Sequence, residues 1–210
     1  MRLWILGLAM LCASTTARCE DITEVLYRSQ EQRLQSLQTV SPDDARAQTI
    51  RRSFERLLTL LEPRGDVELR VVSGDIIAAE TLHGHIVLAQ VDLADFPEGE
   101  RLFILAHEIG HIVRGHWSQM GMVYLKHIPG ALEQEPSAAV SSQLATDASA
   151  LSHRQEFEAD AYGVHALRRL GYTDEDALAA FLRLGTRGDT PTHPGTRKRV
   201  ANLRIVDEPR

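Results

Sequence analysis

Apolar residues along this chain keep two different periods, and the switches between them divide it into elements. Ile50, Phe54, Leu57, Leu58 and Leu61 recur three or four apart, the repeat of a helix with one buried face. Ser41-Pro42-Asp43-Asp44 stands just ahead of that stripe and supplies its start signal. Ile22, Val25 and Leu26 predict an earlier helix. The pattern then shortens. Val67 to Val72, Ile76 to Glu80 and Ile86 to Val91 are brief, rich in branched residues and divided by Ser73-Gly74-Asp75 and His83-Gly84, which predicts a small antiparallel sheet. Helical spacing returns with Leu102, Leu105, Ile109, Ile112 and Val113, so a helix follows the sheet directly. Further on, Arg168 and Arg169 precede Gly171, and Thr173 with Asp176 opens a helix that runs to Leu184 before Gly185. The fold class is therefore α+β, mostly helical, with the sheet beside the helix that begins near residue 102.

Composition narrows the class. With 210 residues, 43% of them hydrophobic and 25% charged, the chain has the make-up of one globular domain with a proper core, and disorder is excluded. Met1-Arg2, the apolar run Leu3 to Ala13 and the small residues Thr15-Thr16-Ala17 read as an export signal over residues 1–17, which leaves a domain of residues 18–210 in the periplasm. The competing reading is a lipid anchor, but Arg18 precedes Cys19 and Leu11 precedes Cys12, where a small residue is wanted. Cleavage after Ala17 leaves Cys19 as the sole cysteine, incidental to the chemistry, so no internal disulfide can form. Beyond residue 13 nothing approaches the roughly 20 apolar residues of a membrane span. The net charge of −6 argues against nucleic acid as a partner.

The strongest chemical signal is His107-Glu108-Ile109-Gly110-His111. Two imidazoles four residues apart share one face of a helix and can reach one ion, with a carboxylate beside the remaining coordination site. The histidines fall opposite the apolar stripe, so one helix can pack and present ligands together. Coincidence on a metal-free helix is the alternative. Glu156 and Asp160 repeat the i, i+4 spacing on a second predicted helix, with Glu158 facing elsewhere. Taken alone the pair suits a solvated acidic face. If Glu156 instead joins the metal, the site becomes the three-ligand open type that catalysis needs, and Asp160 is placed to accept the free ring N–H of a ligating histidine. His83 and His85 flank Gly84 as turn residues, and His116 and His153 are read as structural.

Together, H-E-I-G-H and the later E-F-E-A-D-A-Y-G resemble the gluzincin peptidases related to HtpX, the CAAX prenyl endopeptidase and the periplasmic protease BepA. The resemblance covers about residues 100 to 205. It implies a zincin-like fold, one Zn2+ per chain held by His107, His111 and Glu156, Glu108 as the base, and Asp160 supporting a ligand. Thr192-His193-Pro194 followed by Arg199 is similar to the (S/T)HP segment and trailing arginine of soluble members, which implies a catalytic role for His193, as an oxyanion donor or a resting-state metal ligand, and a supporting one for Arg199, holding the His193 loop by pairing with a carboxylate, with a solvated charge as the alternative. The chain departs from the membrane-spanning members, and it stops some 50 residues beyond Glu156, where BepA-like proteins continue into helical repeats. A minimal catalytic domain is expected.

The implied activity is a zinc metalloendopeptidase acting on unfolded or misassembled cell-envelope polypeptides, with envelope assembly proteins as possible partners. The competing class is a metal-stabilised chaperone or binding module with little turnover; a pure binder has no use for Glu108. A third possibility is a zymogen silenced by His193 or by the segment 117–153. Ile86 to Val91 is the candidate edge strand for a substrate backbone, with an interior strand as the alternative. Residues 117–153 change character from Met120-Gly121-Met122-Val123-Tyr124-Leu125 to an Ala/Ser-rich run, which reads as an insertion or lid, or else as a plain helical hairpin.

Overall fold

The computed structural model describes residues 21–130, 136–185 and 187–206; the predicted export signal and Cys19 lie outside them. Helix α1, Ile22–Gln35, starts at Asp21, whose side chain accepts from the amides of Thr23 and Glu24. Strand β1, Gln38–Thr39, leads to α2, Ala45–Leu61. Asp44 caps α2 in the same way, as the polar run before it predicts, and the stripe Ile50, Phe54 and Leu57 is buried.

Strands β2 (Glu68–Ser73), β3 (Ala79–Leu82) and β4 (Ile86–Gln90) follow. The sheet order is β1-β2-β4-β3, and this corrects the antiparallel expectation. β4 pairs antiparallel with β3 but parallel with β2, where Leu69 lies opposite Val87, so the sheet is mixed. Its side chains alternate as a pleat requires. Val71, Val87 and Ala89 point into the main core with α2; Val72, Ile86 and Leu88 point the other way, towards Leu34 and Leu37. β4 is also interior and not an edge: Ile86-Val87-Leu88-Ala89 is buried throughout, and the outer strand is β3.

A 3₁₀ turn, Val91–Asp95, delivers the chain to α3, Glu98–Val113. Every residue of α3 from Gly99 to Gly110 is buried, so the helix is enclosed around its circumference and not only along its apolar stripe. Helix α4, His116–His127, turns back from it, and α5, Ala138–Arg169, runs for 32 residues across α3 and α4. The segment 117–153 is thus mostly the body of α4 and the first half of α5. Helix α6, Asp174–Arg183, opens with the predicted Thr173–Asp176 capping box, and α7, Thr196–Val206, packs on α5.

Close contact between α3 and α5 has a local cause. A Cβ on Gly163 would lie 3.0 Å from the Phe103 ring and 3.3 Å from its carbonyl oxygen, so glycine lets α5 settle this near α3 without displacing Phe103. That approach brings residues 156 and 160 over residues 107 and 111.

Candidate metal centre

His107 and His111 leave α3 one turn apart and meet Glu156 from α5. Their ring nitrogens Nε2 lie 3.1 Å apart. Glu156 Oε1 is 3.3 Å from His111 Nε2, and Oε2 is 3.7 Å from His107 Nε2. One donor atom from each of the three residues falls within 4.8 Å of the others. Two donors about 2.1 Å from one tetrahedral ion would stand roughly 3.4 Å apart, which is the spacing found here. Glu156 Oε2 is buried and accepts no hydrogen bond, although Arg199 Nη1 stands 3.1 Å away. The donor set and this unsatisfied oxygen suit a zinc ion.

Around the cluster each donor is held from behind. Asp160, wholly buried, accepts from His107 Nδ1 at 3.0 Å and from Arg199 Nε at 2.8 Å, and Arg199 Nη2 bonds its other oxygen. The Arg199 guanidinium also lies over the Phe181 ring, 4.8 Å from its centre. Burial works against a charge on His107, but the Asp160 hydrogen bond and the Glu156 carboxylate outweigh it and raise its pKa above the usual imidazole value. Burial would likewise raise Glu156, yet the hydrogen bond from His111 and the charges of His107 and Arg199 hold it far below the ordinary carboxylate range. Burial disfavours the charge of Arg199 too, and its bond to Asp160 overcomes that and raises it.

Glu108 is buried next to the two histidines. The Thr81 hydroxyl, on the outer strand β3, lies 2.7 Å from Glu108 Oε2 and 3.1 Å from Glu108 O. His193 reaches the cluster from the loop before α7, its Nε2 3.7 Å from Glu156 Oε1, with 59% of its side chain exposed. That loop is fastened to α5: Ser152 Oγ donates to Thr192 O and His153 Nε2 to Thr190 O, each at 2.7 Å. All seven residues predicted for the site, His107, Glu108, His111, Glu156, Asp160, His193 and Arg199, are therefore brought together.

Sequence reasoning missed three contacts. Thr81 carries no signal in its own strand, because its partner is 27 residues away. His153 is an anchor for the His193 loop. His116 sits against His111, Nδ1 to Nδ1 at 2.9 Å, and burial together with the neighbouring His111 pushes its pKa down to about 4. The five-residue offset from His111 is the one clue that could have found it. His83 lies in the β3–β4 turn against Tyr27, outside the one histidine-carboxylate cluster that could hold a metal among the described residues.

An enclosed helix carrying HExxH, completed by a glutamate from a second helix, defines a zinc metallopeptidase. Residues 44–206 match the family described as Peptidase family M48, and the chain belongs to that family. The match starts at the cap of α2 and runs through α7, so it also takes in strands β2, β3 and β4. No curated protein matches the chain.

Proposed function

We propose that this protein is a periplasmic zinc endopeptidase that cleaves misfolded or misassembled cell-envelope proteins. One observation carries the reading: the donors of His107, His111 and Glu156 converge within 4.8 Å beside Glu108, a carboxylate that a mere binding module has no use for. In this reading the three residues hold one zinc ion. When bound, the ion supplies Lewis acidity, polarising the scissile carbonyl and lowering the pKa of a water towards about 7.

Glu108 accepts the proton of that water as its oxygen bonds to the carbonyl carbon, and returns the proton to the amine nitrogen as the C–N bond breaks. The Thr81 hydroxyl steadies the Glu108 carboxylate for both transfers. Asp160 keeps the proton of His107 on Nδ1, which frees Nε2 for the metal, and Arg199 balances the Asp160 charge. His193, tied to α5 by its loop, donates to the oxygen on which charge develops. The outer side of β3, where among the described residues Ala79 to Leu82 pair with β4 on one side only, offers main-chain groups to an extended substrate backbone, and main-chain pairing reads no particular side chain. Support for an envelope setting comes from the sequence of residues 1–17, which reads as an export signal. The described residues contain no helix long and apolar enough to cross a membrane.

Glu108→Gln tests the reading. The variant is expected to retain zinc in stoichiometric amount and to lose casein cleavage; turnover equal to that of the parent protein would refute the role given to Glu108.

A further inference from the structure

We propose that His116 is a positioning residue of the metal centre: it fixes the tautomer of His111 through a ring-to-ring hydrogen bond and is itself fixed by Glu158. The inference rests on the reading of His111 as a ligand through Nε2. A neutral imidazole that offers one nitrogen's lone pair carries its proton on the other, so a ligating His111 is protonated on Nδ1. That nitrogen faces His116 Nδ1 at 2.9 Å. His111 must then donate and His116 Nδ1 must accept. His116 is left with its proton on Nε2, and Nε2 lies 3.3 Å from Glu158 Oε2, a group that only accepts when ionised.

The direction of the chain is thereby settled, from His111 to His116 to Glu158. Reversing it would make His111 Nδ1 the acceptor and put a proton on His111 Nε2, which stands 3.1 Å from His107 Nε2 in the ligand cluster. Such a proton would block coordination. His116 thus does for His111 what Asp160 does for His107, with a neutral ring in place of the carboxylate and the charge one step further away. Glu158, which lies off the helix face that carries Glu156 and Asp160, gains a purpose in this arrangement.

Backbone geometry puts the ring there. Five residues past His111 a continued helix would carry residue 116 to a different side. Instead α3 ends at Val113, Gly115 takes a left-handed conformation at φ 66°, and His116 opens α4 folded back on α3, with 4% of its surface exposed. Gln155 of α5 donates to the His116 carbonyl at 3.1 Å and fastens that turn.

The test measures zinc affinity of the full chain by competition with a chromophoric chelator, together with the imidazole tautomers of the zinc-loaded protein by 15N NMR. His116→Ala is expected to weaken zinc binding about 10–100-fold. His116→Asn, whose side-chain oxygen can stand near the position of Nδ1, should recover most of the loss. Glu158→Ala should show a smaller loss in the same direction. The spectra should place the proton of His111 on Nδ1 and that of His116 on Nε2. An unchanged affinity in His116→Ala, or a His116 proton on Nδ1, overturns the proposal; the tautomers of the parent protein decide it even if a variant fails to fold. Undiminished zinc binding in His111→Ala would overturn the ligand reading itself, a separate outcome.

Discussion

Asp160 is a carboxylate with no exposed surface, tolerable only while its charge is matched. Arg199 matches it with two hydrogen bonds and leans on Phe181 as well. Arg199→Ala removes the cation and leaves the anion buried, so a destabilisation of about 3–5 kcal/mol is expected in urea unfolding of the zinc-free protein. A loss below about 1 kcal/mol would mean that water reaches Asp160 and that the pairing matters little. His193 belongs to the same scale. As an oxyanion donor its replacement by alanine should lower kcat roughly 10²-fold with zinc retained, whereas a rise in activity would mark it as a silencing residue. His107 and His111 were legible as a pair because i, i+4 spacing on a helix is local geometry, whereas Glu156, 45 residues further on, joined them only through the resemblance. Thr81 was not legible, since a strand residue meets Glu108 only after the sheet has docked on α3.

At the scale of elements, the path of α5 over α3 sets the centre, and Gly163 is one of the places where the two helices pack closely. Gly163→Ala must push the Phe103 ring or its carbonyl, an overpacking expected to cost about 1–3 kcal/mol and to lower the melting temperature. Indifference of the melting temperature would show that the ring yields freely. Helix ends were readable because capping chemistry is written locally, as Asp44 and the Thr173–Asp176 box illustrate. Strand order was not. Three short runs with tight connections suggest successive hairpins, yet β4 enters between β2 and β3. The unbroken apolar run Ile86-Val87-Leu88-Ala89, lacking polar alternation, was the available sign of a strand covered on both faces. The two-residue strand β1 is too brief to leave any periodic trace.

For the molecule as a whole, an ion held by α3 and α5 couples stability to metal and to pH. Zinc binding needs a neutral His107, whose pKa is raised, so protons compete and affinity falls by up to roughly tenfold per unit as pH drops below that value. In the metal-free chain the sign reverses. A raised imidazole pKa contributes stability that is fully present below the unfolded value of about 6.5 and lost as pH rises through the folded value. The gap in melting temperature between zinc-loaded and chelated protein should therefore be wider at pH 8 than at pH 6. An equal gap at both would detach His107 from the metal.

Thr81 belongs at once to the free strand and, through its hydroxyl, to the proton acceptor. On the proposed reading, rail and reagent share a single link, so a polypeptide lying askew along that border meets an acceptor aimed askew as well. Register along the border would then be checked before any bond is broken, and discrimination would fall on how straight a chain can lie, with its spelling left unread.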